Sequence, residues 1–248
     1  MSERGPVSKR GWILTAIVCV ALLVPGGAFA KGNIKKKGID GADFQVGADI
    51  GGAAAGFIPY ASATFNDLDA SFSGSGGFGP IFGVHGNLYP AKNWIIHVDF
   101  GYMNQKLDVD VDFEDEEAVD NSGAKVVLED QEVEYAMNMW RFSIGAGQKF
   151  VPSSKIVPYG LVGLSLQSLR FRDVDEDDPA TGTGLGPFGA LGVDFQITKT
   201  SGMYVYGGGQ LRLDLIYTIT PLEMDKTEAE ITMGYVPFAI ILTSGVMF

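Results

Sequence analysis

Along most of the chain apolar residues recur at every second position, the period of a strand and not of a helix. In residues 233–248 the file Phe248, Val246, Leu242, Ile240, Phe238 and Val236 is broken only by Ser244. The other file is mixed: Met247, Gly245, Thr243, Ile241, Ala239, Pro237 and Tyr235. Residues 94–103 repeat the pattern, Trp94, Ile96, Val98, Phe100 and Tyr102 alternating with Ile95, His97, Asp99, Gly101 and Met103. An aromatic at each end of an apolar file suits a strand whose face meets lipid between two water interfaces. Ten residues at about 3.3 Å each, tilted by about 40°, cross an apolar band of about 25 Å.

The same reading predicts eight strands. The first, 43–57, has Phe44, Val46, Ala48 and Ile50 on one face and Gln45, Gly47 and Asp49 on the other. The second covers 81–89, the third 94–103, and the fourth 135–150, with Trp140, Phe142, Ile144 and Ala146 outward and Arg141, Ser143, Gly145 and Gly147 inward. Strand five, 157–171, is apolar on both faces, so its phase stays open. Strand six puts Leu191, Val193, Phe195 and Ile197 outward against Gly192, Asp194 and Gln196. Strand seven, 203–216, puts Leu211, Leu213 and Leu215 outward against Gln210, Arg212 and Asp214, and Gly207-Gly208-Gly209 suggests a bulge or tight bend. Three short turns, 89–93, 151–155 and 198–202, alternate with four long connections, 58–80, 104–134, 172–186 and 217–232. The first long connection, rich in Ser, Gly and Ala, reads as a loop. In the second the two-residue period persists through 107–113, so strand three is expected to continue into water.

Residues 1–30 have the layout of a secretory signal: basic Arg4, Lys9 and Arg10, an apolar stretch too short to span a bilayer, then Ala28-Phe29-Ala30 as a cleavage site. A basic leader, 31–41, precedes a barrel region, 42–248. Cleavage takes away Cys19, the only cysteine, so disulfides and thiol chemistry are not expected. It also removes three of 18 basic residues and one of 30 acids, leaving 15 against 29. Such acidity argues against nucleic acid as a partner. The last three long connections hold 21 of those acids.

The alternating apolar files, the side-by-side ordering of short turns and long acidic loops, and the terminal Phe248 together resemble the small eight-stranded bacterial outer-membrane barrels, the OmpA, OmpX and OmpW-like group. The ending departs from the group's pattern at Thr243, where Gly is usual. The resemblance implies an all-β, eight-stranded antiparallel up-and-down transmembrane β-barrel with short periplasmic turns and long acidic outer loops. It also implies location in the bacterial outer membrane and Phe248 as a signal read by the barrel-insertion machinery. A soluble up-and-down barrel is the opposing architecture: it would bury the apolar files and expose the polar ones.

In the membrane reading the lumen collects His85, Asn87, His97, Asp99, Arg141, Asp194, Gln196, Gln210, Arg212 and Asp214. Eight strands leave room only for side chains, so these are expected to form an ion-paired plug in which Arg141 and Arg212 answer Asp99, Asp194 and Asp214. A polar path is the alternative. His85 and His97 lie six residues either side of Ala91 and are expected to face each other across a symmetric hairpin. Met103, Met139 and Tyr235 point inward near the outer end, where they suit an apolar pocket. No metal site or cofactor is expected; the weak metal candidates are Asp108, Asp110, Asp112, Asp173, Asp175 and Asp177, which lack the Gly and closing Glu of an EF-hand. Both histidines fall toward the end opposite the outer loops, so no Ser-His-acid set can be built on them there.

The expected role is a non-enzymatic structural anchor with acidic loops for envelope integrity or interaction. Expected partners are outer-membrane lipid and lipopolysaccharide, with divalent cations, and the protein is expected to be a monomer. The alternatives are an OmpW-like passage for small hydrophobic molecules and, remotely, an outer-membrane lipid-modifying enzyme.

Overall fold

The computed structural model describes residues 44–65, 68–113, 117–119, 125–127, 131–151, 154–173, 179–200, 203–223 and 229–248. The signal and leader segments, Asp175 and Asp177 lie outside these residues. The described elements are β1 (Phe44–Phe65), β2 (Leu68–Gly76), β3 (Gly79–Leu88), β4 (Trp94–Phe113), β5 (Glu117–Val119), β6 (Lys125–Val127), β7 (Gln131–Lys149), β8 (Ile156–Asp173), β9 (Ala180–Thr200), β10 (Met203–Asp214), β11 (Ile216–Glu223) and β12 (Ala229–Met247).

Ten of these elements make eight staves, because β2 with β3, and β10 with β11, are single staves interrupted at Gly77-Phe78 and at Leu215, while β5 and β6 pair with each other in a separate two-stranded sheet. Each stave pairs antiparallel with its neighbours in sequence, and β12 returns to β1 in a ladder running from Gln45↔Met247 to Phe65↔Ala229. The seam is completed at the chain end, where the Phe248 amide donates to the Phe44 carbonyl at 2.8 Å and the Phe44 amide to the Phe248 carbonyl at 3.3 Å. Closure removes the free edges that an open sheet would present to lipid, where no water satisfies them.

The apolar files face out. Leu191 is 63% exposed and Ile197 67%, whereas Arg212 is 1% exposed. Ile96, Val98, Phe100, Trp140, Phe142, Ile144, Phe238, Ile240 and Leu242 are exposed as well. Trp140 stacks on Phe100 at a centroid distance of 5.4 Å and meets the tilted Tyr102 ring at 4.9 Å. Strand five resolves with Val157, Tyr159, Leu161, Ser165, Gln167, Leu169 and Phe171 buried inward.

The long connections are shorter than the sequence pattern implies. Residues 58–65 continue β1 and 68–76 form β2, so most of the expected first loop is a hairpin. Above the membrane no apolar file is needed, and the alternation there is Ser71, Ser73 and Ser75 outward against half-buried Phe72. Register inherited from the staves below carries the ladder on, as in Phe72↔Val111 and Ser75↔Asp108. By the same effect β7 starts at Gln131, β9 at Ala180 and β12 at Ala229, earlier than the apolar residues begin. The expected bulge at Gly207–Gly209 is displaced: the register shift falls between Val205 and Tyr206, opposite Thr198 and Gln196.

Several inward glycines are there for space. A side chain at Gly192 would overlap the Tyr159 ring, one at Gly56 the Tyr235 ring, one at Gly47 the Tyr206 hydroxyl, and one at Gly145 or Gly163 the Phe188 ring. A lumen only as wide as its side chains takes an aromatic from one stave by leaving positions on neighbouring staves bare, as in the ladder pairs Tyr159↔Gly192 and Phe188↔Gly163. Gly192→Val is expected to destabilise the barrel by about 1–3 kcal/mol through overpacking. Guanidinium unfolding in detergent checks this, and adding Tyr159→Ala should recover part of the loss.

Candidate functional site: the lumen network

Arg212, on β10, sits at the centre of the lumen. Its Nη1 donates to Asp99 Oδ2 at 2.7 Å, its Nε and Nη2 form a fork on Asp214 at 2.8 Å each, and Nη2 also reaches Ser143 Oγ at 2.7 Å. The guanidinium carbon lies 4.0 Å from the centroid of the Phe188 ring, on β9. Arg141, on β7, donates from Nε to Asp99 Oδ1 at 3.0 Å and approaches Asp214 at 3.9 Å. Two guanidiniums and two carboxylates from β4, β7 and β10 therefore close on one another. The geometry suits the low-dielectric interior, where a buried charge is tolerable only when paired and hydrogen-bonded.

A chain of bonds leads from Asp99 toward the periplasmic end. His97 Nε2 meets Asp99 Oδ2 at 3.0 Å and His97 Nδ1 meets Asn87 Oδ1 at 2.7 Å. Asn87 Nδ2 donates to Gln45 Oε1 at 3.0 Å, Gln45 Nε2 donates to Asp194 Oδ2 at 3.4 Å, and the Tyr89 hydroxyl also donates to Gln45 Oε1. Beside this chain, His85 bonds Asp49 Oδ1 through Nδ1 at 2.8 Å and the Tyr206 hydroxyl through Nε2 at 2.6 Å.

Two expectations are corrected. The hairpin pairs Leu88↔Ile96, so it is centred on Lys92 and not Ala91; His85 stands opposite Asp99 and His97 opposite Asn87. The two imidazoles are diagonal neighbours, stacked with centroids 6.0 Å apart. Asp194, in turn, is answered by Gln45 and not by either arginine. It pairs across to Gly208, four residues nearer the periplasm than Arg212, a separation of about 13 Å along a strand. Gln210 is buried without a bond to the network, and Gln196 is half-buried at the register shift.

Sequence reasoning missed Gln45, Asp49, Ser143 and Tyr206 as members. Gln45 and Asp49 share the polar file of β1 and Ser143 that of β7, a signal that was present; Tyr206 gave none, because tyrosine fits either face. Lys149, also missed, is buried at the end of β7 with its ammonium 3.0 Å from the centroid of the Tyr89 ring.

Above the charged layer the lumen turns apolar. Met103, Met139 and Tyr235 are buried in one cluster with Met137, Met233, Leu107, Leu169, Phe171 and Ile216. Tyr235 donates to Gln105, whose amide in turn caps the Gly77 carbonyl at the break between β2 and β3. A void no larger than one water molecule is lined by Ile81, Gly101, Tyr102, Met103, Met139 and Arg141. Above the membrane Asp108 and Asp110 are exposed. There the exposed Lys106 bonds Glu134, which raises its ammonium pKa above the ordinary value. Among the described residues no group of three or more His, Cys, Asp or Glu is arranged to hold a metal ion.

The outer membrane protein beta-barrel domain model matches residues 16–236, most of the chain. The chain belongs to that family. Its members' setting, the bacterial outer membrane, is the setting of this barrel. No curated protein matches the sequence. Among solved structures the barrel is similar to OprG from Pseudomonas aeruginosa, at 14% identity and a TM-score of 0.49, covering 84% of this chain and 96% of that one. It is also similar to Ail of Yersinia pestis, at 12% identity and a TM-score of 0.34 over 83% and 99% of the two chains. The outer-membrane protease OmpT from Escherichia coli matches at 10% identity and a TM-score of 0.34 over 82% and 97%.

Removing one partner of the buried cluster leaves charge uncompensated. Arg212→Met is expected to cost the barrel about 3–5 kcal/mol, because Asp214 loses the fork that pairs it and Asp99 is left with Arg141 as its only close guanidinium. Arg141→Met should cost less, since Arg212 still answers both acids; the two unfolding midpoints in guanidinium give the comparison.

Proposed function

We propose that this barrel is a non-enzymatic anchor in the outer membrane, whose acidic outer hairpins serve envelope integrity or interaction. The observation that carries the reading is the closure of Arg212, Asp99, Asp214 and Arg141 on one another across the lumen, beneath a packed apolar layer. A lumen whose charges are spent on each other is a support for the wall and offers no open water column. Residues 1–30 act as a cleaved export signal, and Phe248 serves the insertion machinery. The exposed acids of the outer hairpins, Asp108 and Asp110 among them, would meet lipopolysaccharide phosphates through bridging divalent cations, and the barrel acts as a monomer.

The methionine layer favours a second reading. Met103, Met137, Met139 and Met233 are unbranched and polarizable, so they repack around a guest more readily than branched aliphatic side chains. That suits passage of a small apolar molecule into the outer half of the lumen.

Planar-bilayer recording on the purified, refolded protein tests the anchor reading: no steady conductance above bilayer leak is expected, and a stable open level would refute it. In liposomes the barrel should not speed entry of a small apolar dye over protein-free vesicles. Faster entry with silent recordings would replace the anchor reading with the second.

A further inference from the structure

The bonds between Asp99 and Asp194 fix where hydrogens lie on His97. An ionised carboxylate only accepts, so Asp194 orients Gln45 with its amide nitrogen toward Oδ2. Gln45 Oε1 is thereby turned toward Asn87, where it accepts from Nδ2 and from the Tyr89 hydroxyl. Asn87 is left presenting Oδ1, an acceptor, to His97 Nδ1 at 2.7 Å. On the other side of the ring, His97 Nε2 faces Asp99 Oδ2 at 3.0 Å, and Asp99 already accepts from Arg141 and Arg212. Both ring nitrogens therefore face acceptors.

We propose that His97 carries hydrogens on both ring nitrogens and that this one extra proton latches the lumen, tying the arginine cluster to Asp194 through two amides whose direction it sets. The groups around the His97 ring are Asp99 on its own strand β4, Asn87 and the stacked His85 on β3, and Phe188 on β9 at a centroid distance of 6.3 Å. Beyond these stand Asp49 on β1, Arg141 on β7, Asp194 on β9 and Arg212 on β10.

Loss of the proton leaves oxygen facing a bare nitrogen at one end of the ring. The alternative that keeps every bond reverses both amides: His97 gives its proton to solvent, Asp194 takes one from solvent, and each amide turns over without passing a proton itself.

Nitrogen-15 NMR of the full barrel in lipid nanodiscs at pH 7.5 tests this. Two N–H groups are expected on His97 in the wild type and one in Asp194→Asn, where nothing fixes the direction of the Gln45 amide. Adding Asn87→Asp to Asp194→Asn places an acceptor beside Nδ1 again and should restore the second N–H. A bare ring nitrogen on His97 in the wild type, or an unchanged ring in Asp194→Asn, overturns the proposal. Should Asp194→Asn not fold, Gln45→Met interrupts the same chain and should give the same single N–H, and an unchanged ring there overturns the proposal equally.

Discussion

The width of an eight-stranded lumen governs the rest of this structure. Because the interior holds side chains and little else, each inward position must complement those facing it from other staves. Two solutions recur. Arg212 is surrounded by Asp99, Asp214, Ser143 and the Phe188 face, and the rings of Tyr159, Tyr235 and Phe188 lie against glycines on neighbouring staves. Neither works alone, since a glycine without its ring leaves a hole and an arginine without its acids leaves a buried charge.

Which face meets lipid was legible before any coordinates wherever a strand alternates clearly, because alternation is a property of one strand and its period is fixed by the pleat. The files ending in Trp94, Tyr102 and Phe248, and the polar residues between them, are separated by the sequence alone. Register is a different matter, since it relates two strands through the conformation of the turn between them. A shift of one residue in the turn centre, from Ala91 to Lys92, moved His85 from His97 to Asp99. The partner of Asp194 was hidden for the same reason, since which charges share a height depends on several registers at once.

The outer ends were misread for another reason. Apolar alternation reports contact with oil, and the staves continue beyond the oil. Residues 68–76 are strand because β1 and β4 flank them, not because their own side chains favour it. Strand five was ambiguous because its lumen file is itself apolar at both ends, Leu169 and Phe171 meeting the methionine layer and Tyr159 and Leu161 packing with Tyr89, Ile95 and Phe188. Ser165 and Gln167, two residues apart on one file, carried the clue to its phase.

Neighbouring positions on one strand decide whether this division into an oily outside and a polar inside is real. Cys19 is the only cysteine in the sequence, so with Cys19→Ser as background Ile144→Cys and Ser143→Cys each carry a single fluorescent label on β7, and brominated lipid quenches only what it touches. Strong quenching at 144 with little at 143 is the result required here. Equal quenching, or the reverse order, would contradict the assignment of the faces and the lumen network built on it.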